Sequence, residues 1–299
     1  MTYQSTGISL EHNGQRATIA HADALDHLRG LPDGSVDLLV TSPPYCIGKE
    51  YESATSTADF ENEIRRVFPE IIRVIRDGGS ICWQVGSHVT KNVTVPLDYL
   101  IFKACEGNEN IFLRNRIVWH FRHGINSTKR FSGRYETILW FTKGEKYYFD
   151  LDSVRERQKY PGKRYYKGPK KGLLSGNPRG KNPGDVWDIP NVKANHIEKT
   201  DHPCQFPVAL VGRLVESMSP LGGVVCDPYA GSGTSAVAAL LAGRSFTGSE
   251  TEARYLEIAA SRISALVDGS LRVREDKPVL EPDVNSSVAR LPAEFLIGG

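Results

Sequence analysis

The chain has 299 residues, 40% hydrophobic and 24% charged, with a formal net charge of +2; it is long enough to bury a large core and has the makeup of an ordinary globular protein. No run approaches ~18 consecutive apolar residues, which excludes a membrane-spanning helix, and Met1-Thr2-Tyr3-Gln4-Ser5 lacks the basic and apolar stretches of a secretory signal. The five cysteines (46, 82, 105, 204 and 226) form no C-x-x-C pair, as expected of reduced thiols in a cytoplasmic protein, and the eight histidines show no ligand spacing, so no metal site is expected.

In chain order, residues 17–21 read as a strand, 23–31 as a short helix, and Pro32-Asp33-Gly34-Ser35 as a turn. Val36-Asp37-Leu38-Leu39-Val40 reads as a buried strand that delivers Thr41-Ser42-Pro43-Pro44-Tyr45 at its carboxyl end. After a polar loop at 49–59, residues 60–76 carry Ile64, Val67, Phe68, Ile71, Ile72 and Ile75 at helical spacing, and Asp77-Gly78-Gly79 is expected to stop that helix. A strand at 81–85 and a helix at 96–105 follow. Strands at 116–121 and 137–141 read as a hairpin at the sheet edge, joined by the loop 123–134. From 151 to 200 the chain is rich in Gly, Pro, Lys and Tyr with little periodicity, and reads as an insertion. Regular structure returns with a helix at 206–217, a strand at 223–226, a glycine-rich turn, a helix at 234–241, a strand at 245–247 and a helix at 253–266. Residues 269–299, interrupted by Pro278, Pro282 and Pro292, form a tail without a clear period.

Strands alternating with helices predict an α/β fold, a Rossmann-like doubly wound sheet, mostly parallel with an antiparallel edge hairpin. Ligands of such sheets sit at the carboxyl ends of the strands. Both conspicuous motifs follow strands at that end, so their separation in sequence need not be separation in space.

Charge is unevenly placed. Between residues 155 and 181 ten Lys and Arg face one acid, Glu156, a net +9 that leaves −7 for the rest of the chain. Segregation of this kind is the footprint of a polyanion partner. A solvated loop is the plainer reading of a basic run, but Tyr160, Tyr165 and Tyr166 interleave with these charges, which favours nucleic acid.

The second motif is Asp227-Pro228-Tyr229-Ala230-Gly231-Ser232-Gly233-Thr234. Gly231 and Gly233 let the backbone approach a ligand ahead of a helix. The turn lacks the Gly-Lys-Ser/Thr ending of a phosphate-binding loop, which disfavours ATP. Glu250 ends the next strand, 19 residues beyond Gly231, where a carboxylate can accept both ribose hydroxyls of an adenosine. In the first motif, Ser42 Oγ and the Pro43 carbonyl can accept both hydrogens of an amino group. That arrangement favours a pyramidal nitrogen with a freed lone pair. Tyr45 offers a ring to a base rotated out of its helix.

Together these segments resemble the DNA methyltransferases that modify exocyclic amines, and their order, catalytic before cofactor, resembles the beta class of that family. The resemblance runs from about residue 17 to 263. It implies catalysis by Ser42, Pro43, Pro44 and Tyr45. It also implies S-adenosylmethionine held by Asp23, Thr41, Phe206, Asp227, Tyr229, Ala230, Gly231, Ser232, Gly233, Thr234 and Glu250, with His202-Pro203-Cys204-Gln205-Phe206-Pro207 on the methionine side. Asp23 would lie near the adenine, with a helix cap as its alternative role. Residues 1–150 become a catalytic half, 151–200 a target-recognition insertion, and 201–268 a cofactor half. Duplex DNA is the implied partner, met by Arg122, His123, Lys129 and Arg130 in one loop and by Lys163, Arg164, Tyr165, Lys167, Lys170, Lys171, Arg179 and Lys181 in the insertion. A homodimer is implied by resemblance alone.

The target is expected to be adenine N6, with cytosine N4 as the alternative. Ser42 in place of Asp points to cytosine, whereas a long insertion in a beta-class order points to adenine. Methylation at cytosine carbon 5 would need a nucleophilic Cys; Cys204 follows a Pro but precedes a helix leading to the cofactor turn, and is expected to pack. An inactive DNA-binding regulator and a methyltransferase acting on RNA or protein are the competing functions.

Overall fold

The computed structural model describes residues 7–45, 56–121, 124, 126–193, 196–274, 290, 292 and 295. The chain separates into two compact units, the first built from Met1–Phe149 and Asp185–Arg274, the second containing Asp150–Gly184.

The elements of the first unit are β1 (Gly7–His12), β2 (Gln15–His21), α1 (Ala24–Arg29), β3 (Val36–Thr41), α2 (Thr57–Val74), β4 (Ile75–Val85), β5 (Ser87–Thr90), β6 (Val93–Pro96), α3 (Leu97–Cys105), β7 (Ile111–His120), β8 (Tyr135–Lys143), β9 (Val186–Asp188), α4 (Val208–Met218), β10 (Val224–Asp227), α5 (Thr234–Leu241), β11 (Ser245–Glu250) and α6 (Ala253–Val267). Nine strands form one sheet in the order β1-β2-β11-β10-β3-β4-β8-β7-β9. The pairs β2–β11, β11–β10, β10–β3 and β3–β4 are parallel, and β4–β8 and β8–β7 are antiparallel. The expected doubly wound sheet is therefore present.

Both faces of the sheet are covered, and the alternation of side chains along β3 and β4 shows it. Leu38, Val40 and Cys82 point into a core shared with α4, α5 and α6. Leu39, Ile81 and Trp83 point into a second core with α1, α2 and α3. A buried carboxylate ties the centre: Asp37 Oδ2 accepts from Val224 N at 2.7 Å, fixing the start of β10 beside β3. The chain leaves β3 for β4 on one side and β10 for β11 on the other, so the carboxyl ends of β3 and β10 form the switch point where such sheets open a crevice.

Several expectations need correction. The helix read at 60–76 begins earlier, at Thr57. Ser56 caps it in a box with Asp59, whose N–H donates to Ser56 Oγ at 3.2 Å. It also ends earlier, because Ile75 turns extended (φ −69°, ψ 129°). Asp77-Gly78-Gly79 does not stop the helix but lies inside β4. Gly78 at φ +79° accommodates the irregular register there, which shifts between Val36 and Leu38 on the paired strand. The β7–β8 hairpin is not the sheet edge: β9 pairs parallel to β7 through Val118↔Val186, Trp119↔Trp187 and His120↔Asp188. Trp119 Nε1 donates to Ile189 O at 2.7 Å and locks that strand in place. Residues 185–200, read as the end of the insertion, thus contribute a strand to the main sheet and belong to the first unit, which resumes at Asp185. The hairpins β1–β2 and β5–β6 were not anticipated. Of the tail, Leu271 and Val273 pack on the first core; the rest lies almost wholly outside the described residues.

The second unit is held by short antiparallel contacts. Glu156 pairs with Lys181 through backbone bonds in both directions and an ion pair at 3.0 Å, and Arg164 bridges Leu174.

Candidate active site

At the switch point, Thr41 Oγ1 on β3 donates to Asp227 Oδ1 on β10 at 2.9 Å. Asp227 is buried and takes two more hydrogen bonds, from Tyr229 N at 3.1 Å and Ser235 Oγ at 2.6 Å. One carboxylate therefore joins the two sequence motifs and holds the glycine-rich turn against its helix.

In that turn Gly231 (φ +51°) and Gly233 (φ +73°) are left-handed. A Cβ on Gly233 would come 2.8 Å from Ala259 Cβ, and one on Gly231 would come 3.0 Å from His202 Nε2. The turn is also held from below, where Arg262 of α6, itself buried, donates to Ser232 O and Thr234 Oγ1, both at 2.8 Å. Burial pulls that guanidinium down to about 10. Glu250 accepts the Gly231 N–H at 2.8 Å and the Glu252 N–H at 2.9 Å, so its carboxylate is positioned by backbone alone. Burial raises its pKa.

A cavity of about 510 Å³ opens here, within the range of small-molecule sites. Ser42, Pro43, Pro44, Tyr45, Asp23, Phe206, Tyr229, Ala230, Gly231, Ser232, Thr234 and Glu250 all line it. Thr41, Asp227 and Gly233 are not among its lining residues; they hold the walls in place. Asp23 caps α1 by accepting Leu25 N at 2.9 Å, the alternative role read for it, and it also lines the cavity. Arg66 clamps both its oxygens, at 2.9 and 3.0 Å, and also holds Glu63, whose Oε1 accepts the Tyr229 hydroxyl at 2.5 Å. The Arg66 hydrogen bond is the main reason that the Asp23 carboxyl titrates below its usual range.

Comparison with known proteins decides the family. The DNA methylase model for N6 and N4 methyltransferases matches residues 36–261. The chain belongs to this family. The type II methyltransferase M.BglII of Bacillus subtilis is 44% identical over 251 residues, covering 84% of this chain and 69% of that protein. M.ScaI of Streptomyces caespitosus is 39% identical over 253 residues, covering 82% and 80%. The solved structure of TTHA0409 of Thermus thermophilus in complex with S-adenosyl-L-methionine superposes with a TM-score of 0.59 at 29% identity, covering 85% of this chain and 98% of that one.

The chain is thus a DNA amino-methyltransferase with S-adenosylmethionine as its cofactor, and the cavity fits that molecule. Gly231 of the turn lines the cavity, and so does Glu250 on the neighbouring strand, its carboxylate already held by two N–H groups. Bound there, the cofactor supplies an electrophilic methyl group. Among the described residues no group of three His, Cys, Asp or Glu could hold a metal ion, and no helix is long and apolar enough to cross a membrane.

The residues read for DNA contact divide. Arg122 and His123 lie outside the described residues. Lys129 and Arg130 are exposed in the β7–β8 loop beside Phe131, a wholly exposed phenylalanine that sequence reading overlooked. In the second unit Lys163, Arg164, Tyr165, Lys167, Lys170, Lys171, Arg179 and Lys181 are all exposed. Arg179 pairs with Asp152 and Lys181 with Glu156, so part of the positive charge is already engaged. Cys204 does not pack as expected; it is exposed on the cavity wall, where its N–H donates to His202 Nδ1 at 3.2 Å. Sequence reading also missed Arg66, Gln84, Glu136 and Arg262, polar residues on helices or strands with no motif around them.

Two groups, the buried Asp227 and the half-buried His27, give the methyltransferase an opposed pH dependence. Burial pushes the Asp227 carboxyl up to about 6 and pulls the His27 imidazole down from 6.5 to about 4. The folded chain therefore keeps a proton on Asp227 that the unfolded chain loses, and this contribution to stability grows as pH falls from about 6 to 4. His27 behaves oppositely: its contribution is lost as pH falls from 6.5 to 4. Asp227→Asn removes the first effect only. Relative to the parent, the variant is expected to lose about 3 kcal/mol between pH 7.5 and pH 4, measured by denaturant unfolding across that range.

Proposed function

We propose that the chain methylates the exocyclic amino group of a base rotated out of duplex DNA at a defined sequence. The observation that carries this reading is the Thr41–Asp227 bond, which sets the Ser42–Tyr45 segment beside the glycine-rich turn at one cavity. Ser42 Oγ and the Pro43 carbonyl accept the amine's hydrogens, the Tyr45 ring stacks on the base, and Glu250 holds the cofactor's ribose. Lys and Arg of the second unit bind phosphates. Phe131, between Arg130 and Ser132 on the loop that joins β7 to β8, is of the type that enters the space a flipped base leaves.

Two amines satisfy the site. Adenine N6 is supported by the DNA adenine methyltransferase YhdJ of Escherichia coli, 31% identical over 264 residues. Cytosine N4 is favoured by Ser42, a hydroxyl where the adenine motif commonly has a carboxylate. The type II relatives support a part in restriction–modification. Action in the cytoplasm and assembly as a homodimer complete the proposal; a monomeric elution profile would remove the dimer.

Single-molecule sequencing of DNA from a methylation-free bacterial host expressing the chain tests the reading. One modified sequence motif, absent with a Tyr45→Ala control, is expected, and it names the base. No modification by soluble, cofactor-binding protein would instead favour a DNA-binding regulator or a non-DNA substrate.

A further inference from the structure

Behind Ser42 runs a line of polar side chains that the sequence motif does not include. Ser42 Oγ lies 3.2 Å from Tyr45 Oη. Tyr45 Oη donates to Gln84 Oε1 at 2.9 Å, and Gln84 Nε2 donates to Glu136 Oε2. Gln84 is buried near the end of β4, Glu136 is the second residue of β8, and both line the cavity. Gly86 makes room for the acid: a Cβ there would come 3.1 Å from Glu136 Oε1.

Counting hydrogens fixes the direction of the line. An ionised carboxylate only accepts, so Glu136 takes an amide N–H and thereby sets which end of the Gln84 amide faces Tyr45. That end is the oxygen, so the phenol gives it its single hydrogen. Tyr45 Oη then meets Ser42 with lone pairs, and the Ser42 hydrogen points at the tyrosine. The lone pairs of Ser42 are left for another donor.

We propose that Glu136, Gln84 and Tyr45 form a one-way hydrogen-bond relay that holds Ser42 Oγ as an acceptor for the amino group of the target base. The relay gives a neutral serine the part a carboxylate would otherwise play, because hydrogen bonds in a line polarise one another and this one ends on a charge. Ser42 is the catalytic residue; Gln84 and Glu136 are positioning residues. Burial and then the Glu136 charge raise the Tyr45 pKa well above its usual value, which keeps the phenol a donor. No proton needs to move along the line for this effect.

The proposal rests on the reading of Ser42 as the amine's acceptor, and the test separates the two. Ser42→Ala, Tyr45→Phe, Glu136→Gln and the Tyr45→Phe/Glu136→Gln double variant are compared in two measurements. One is kcat. The other, on cofactor-free protein, is the ratio of affinities for duplexes whose target base has or lacks its amino group. Tyr45→Phe and Glu136→Gln are each expected to lower kcat and the affinity ratio about tenfold, with overall cofactor affinity unchanged. The double variant should be no worse than the worse single one. Multiplying losses, or a full affinity ratio in Tyr45→Phe, would overturn the relay. Should Glu136→Gln fail to fold, the Tyr45→Phe ratio decides alone. If Ser42→Ala itself leaves both quantities intact, the underlying reading of Ser42 fails instead.

Discussion

Ser42→Ala is expected to lower kcat by about 10²–10³-fold while cofactor affinity stays within about twofold of the parent. The amine of a nucleobase is a poor nucleophile because its lone pair is delocalised into the ring. An acceptor fixed on each N–H draws the nitrogen toward the pyramidal form in which the lone pair is free. In the proposed function the Pro43 carbonyl is one acceptor, from the backbone, which no substitution of Ser42 removes, so residual turnover should persist. The serine is, in the same proposal, the other, from a side chain whose Oγ lies 3.2 Å from Tyr45 Oη. Its deletion is felt mainly in the transition state, since a base in the cavity keeps its stacking surface. Single-turnover methylation of a defined duplex, beside calorimetric cofactor binding, separates these contributions. A loss confined to KM would contradict this account.

Glu250→Ala is expected to weaken cofactor binding about 100-fold, the second large effect. Two roles converge on this carboxylate. It holds the Gly231 N–H at 2.8 Å and the Glu252 N–H at 2.9 Å, so the turn and the start of α6 both lean on it. In the proposed function it also accepts the ribose hydroxyls. Alanine removes both, leaving a part-buried N–H unpaired and the ligand without its acceptor. Glu250→Gln keeps an acceptor oxygen for one hydroxyl and should lose less, about tenfold. Titration calorimetry with S-adenosylmethionine ranks the three proteins. If alanine and glutamine bind as the parent does, the ribose assignment is wrong.

Much of this site was legible because its chemistry sits on short, contiguous segments at strand ends. The Ser42–Tyr45 and Asp227–Thr234 segments each follow a run of buried apolar residues, and backbone geometry does the rest. Glu250 was legible from its distance to Gly231, which one helix and one strand fix. The relay and the clamps were not legible. Glu136 reaches Gln84 only through the antiparallel pairing of β4 and β8, and Arg262 reaches the turn only because α6 packs beneath it; neither register is written locally. Strand β9 has three residues, too few to show a period, and lies in a stretch whose composition suggested only an insertion. The β1–β2 hairpin could have been read: Asn13-Gly14 sits between two alternating runs, and both residues adopt positive φ, at 50° and 78°.

The Thr41–Asp227 bond spans 186 positions in the chain, and this bears on how the protein reaches its native state. Contacts so far apart close only after a large loss of chain freedom, and they are the slow ones. Strand β10 enters between β11 and β3, so the centre of the sheet must wait for residues made late in synthesis. A chain in which β10 has not yet joined β3 lacks the glycine-rich wall of the crevice. Cofactor-induced protection should therefore appear only with the slowest refolding phase, making ligand binding a direct clock for the last step of folding.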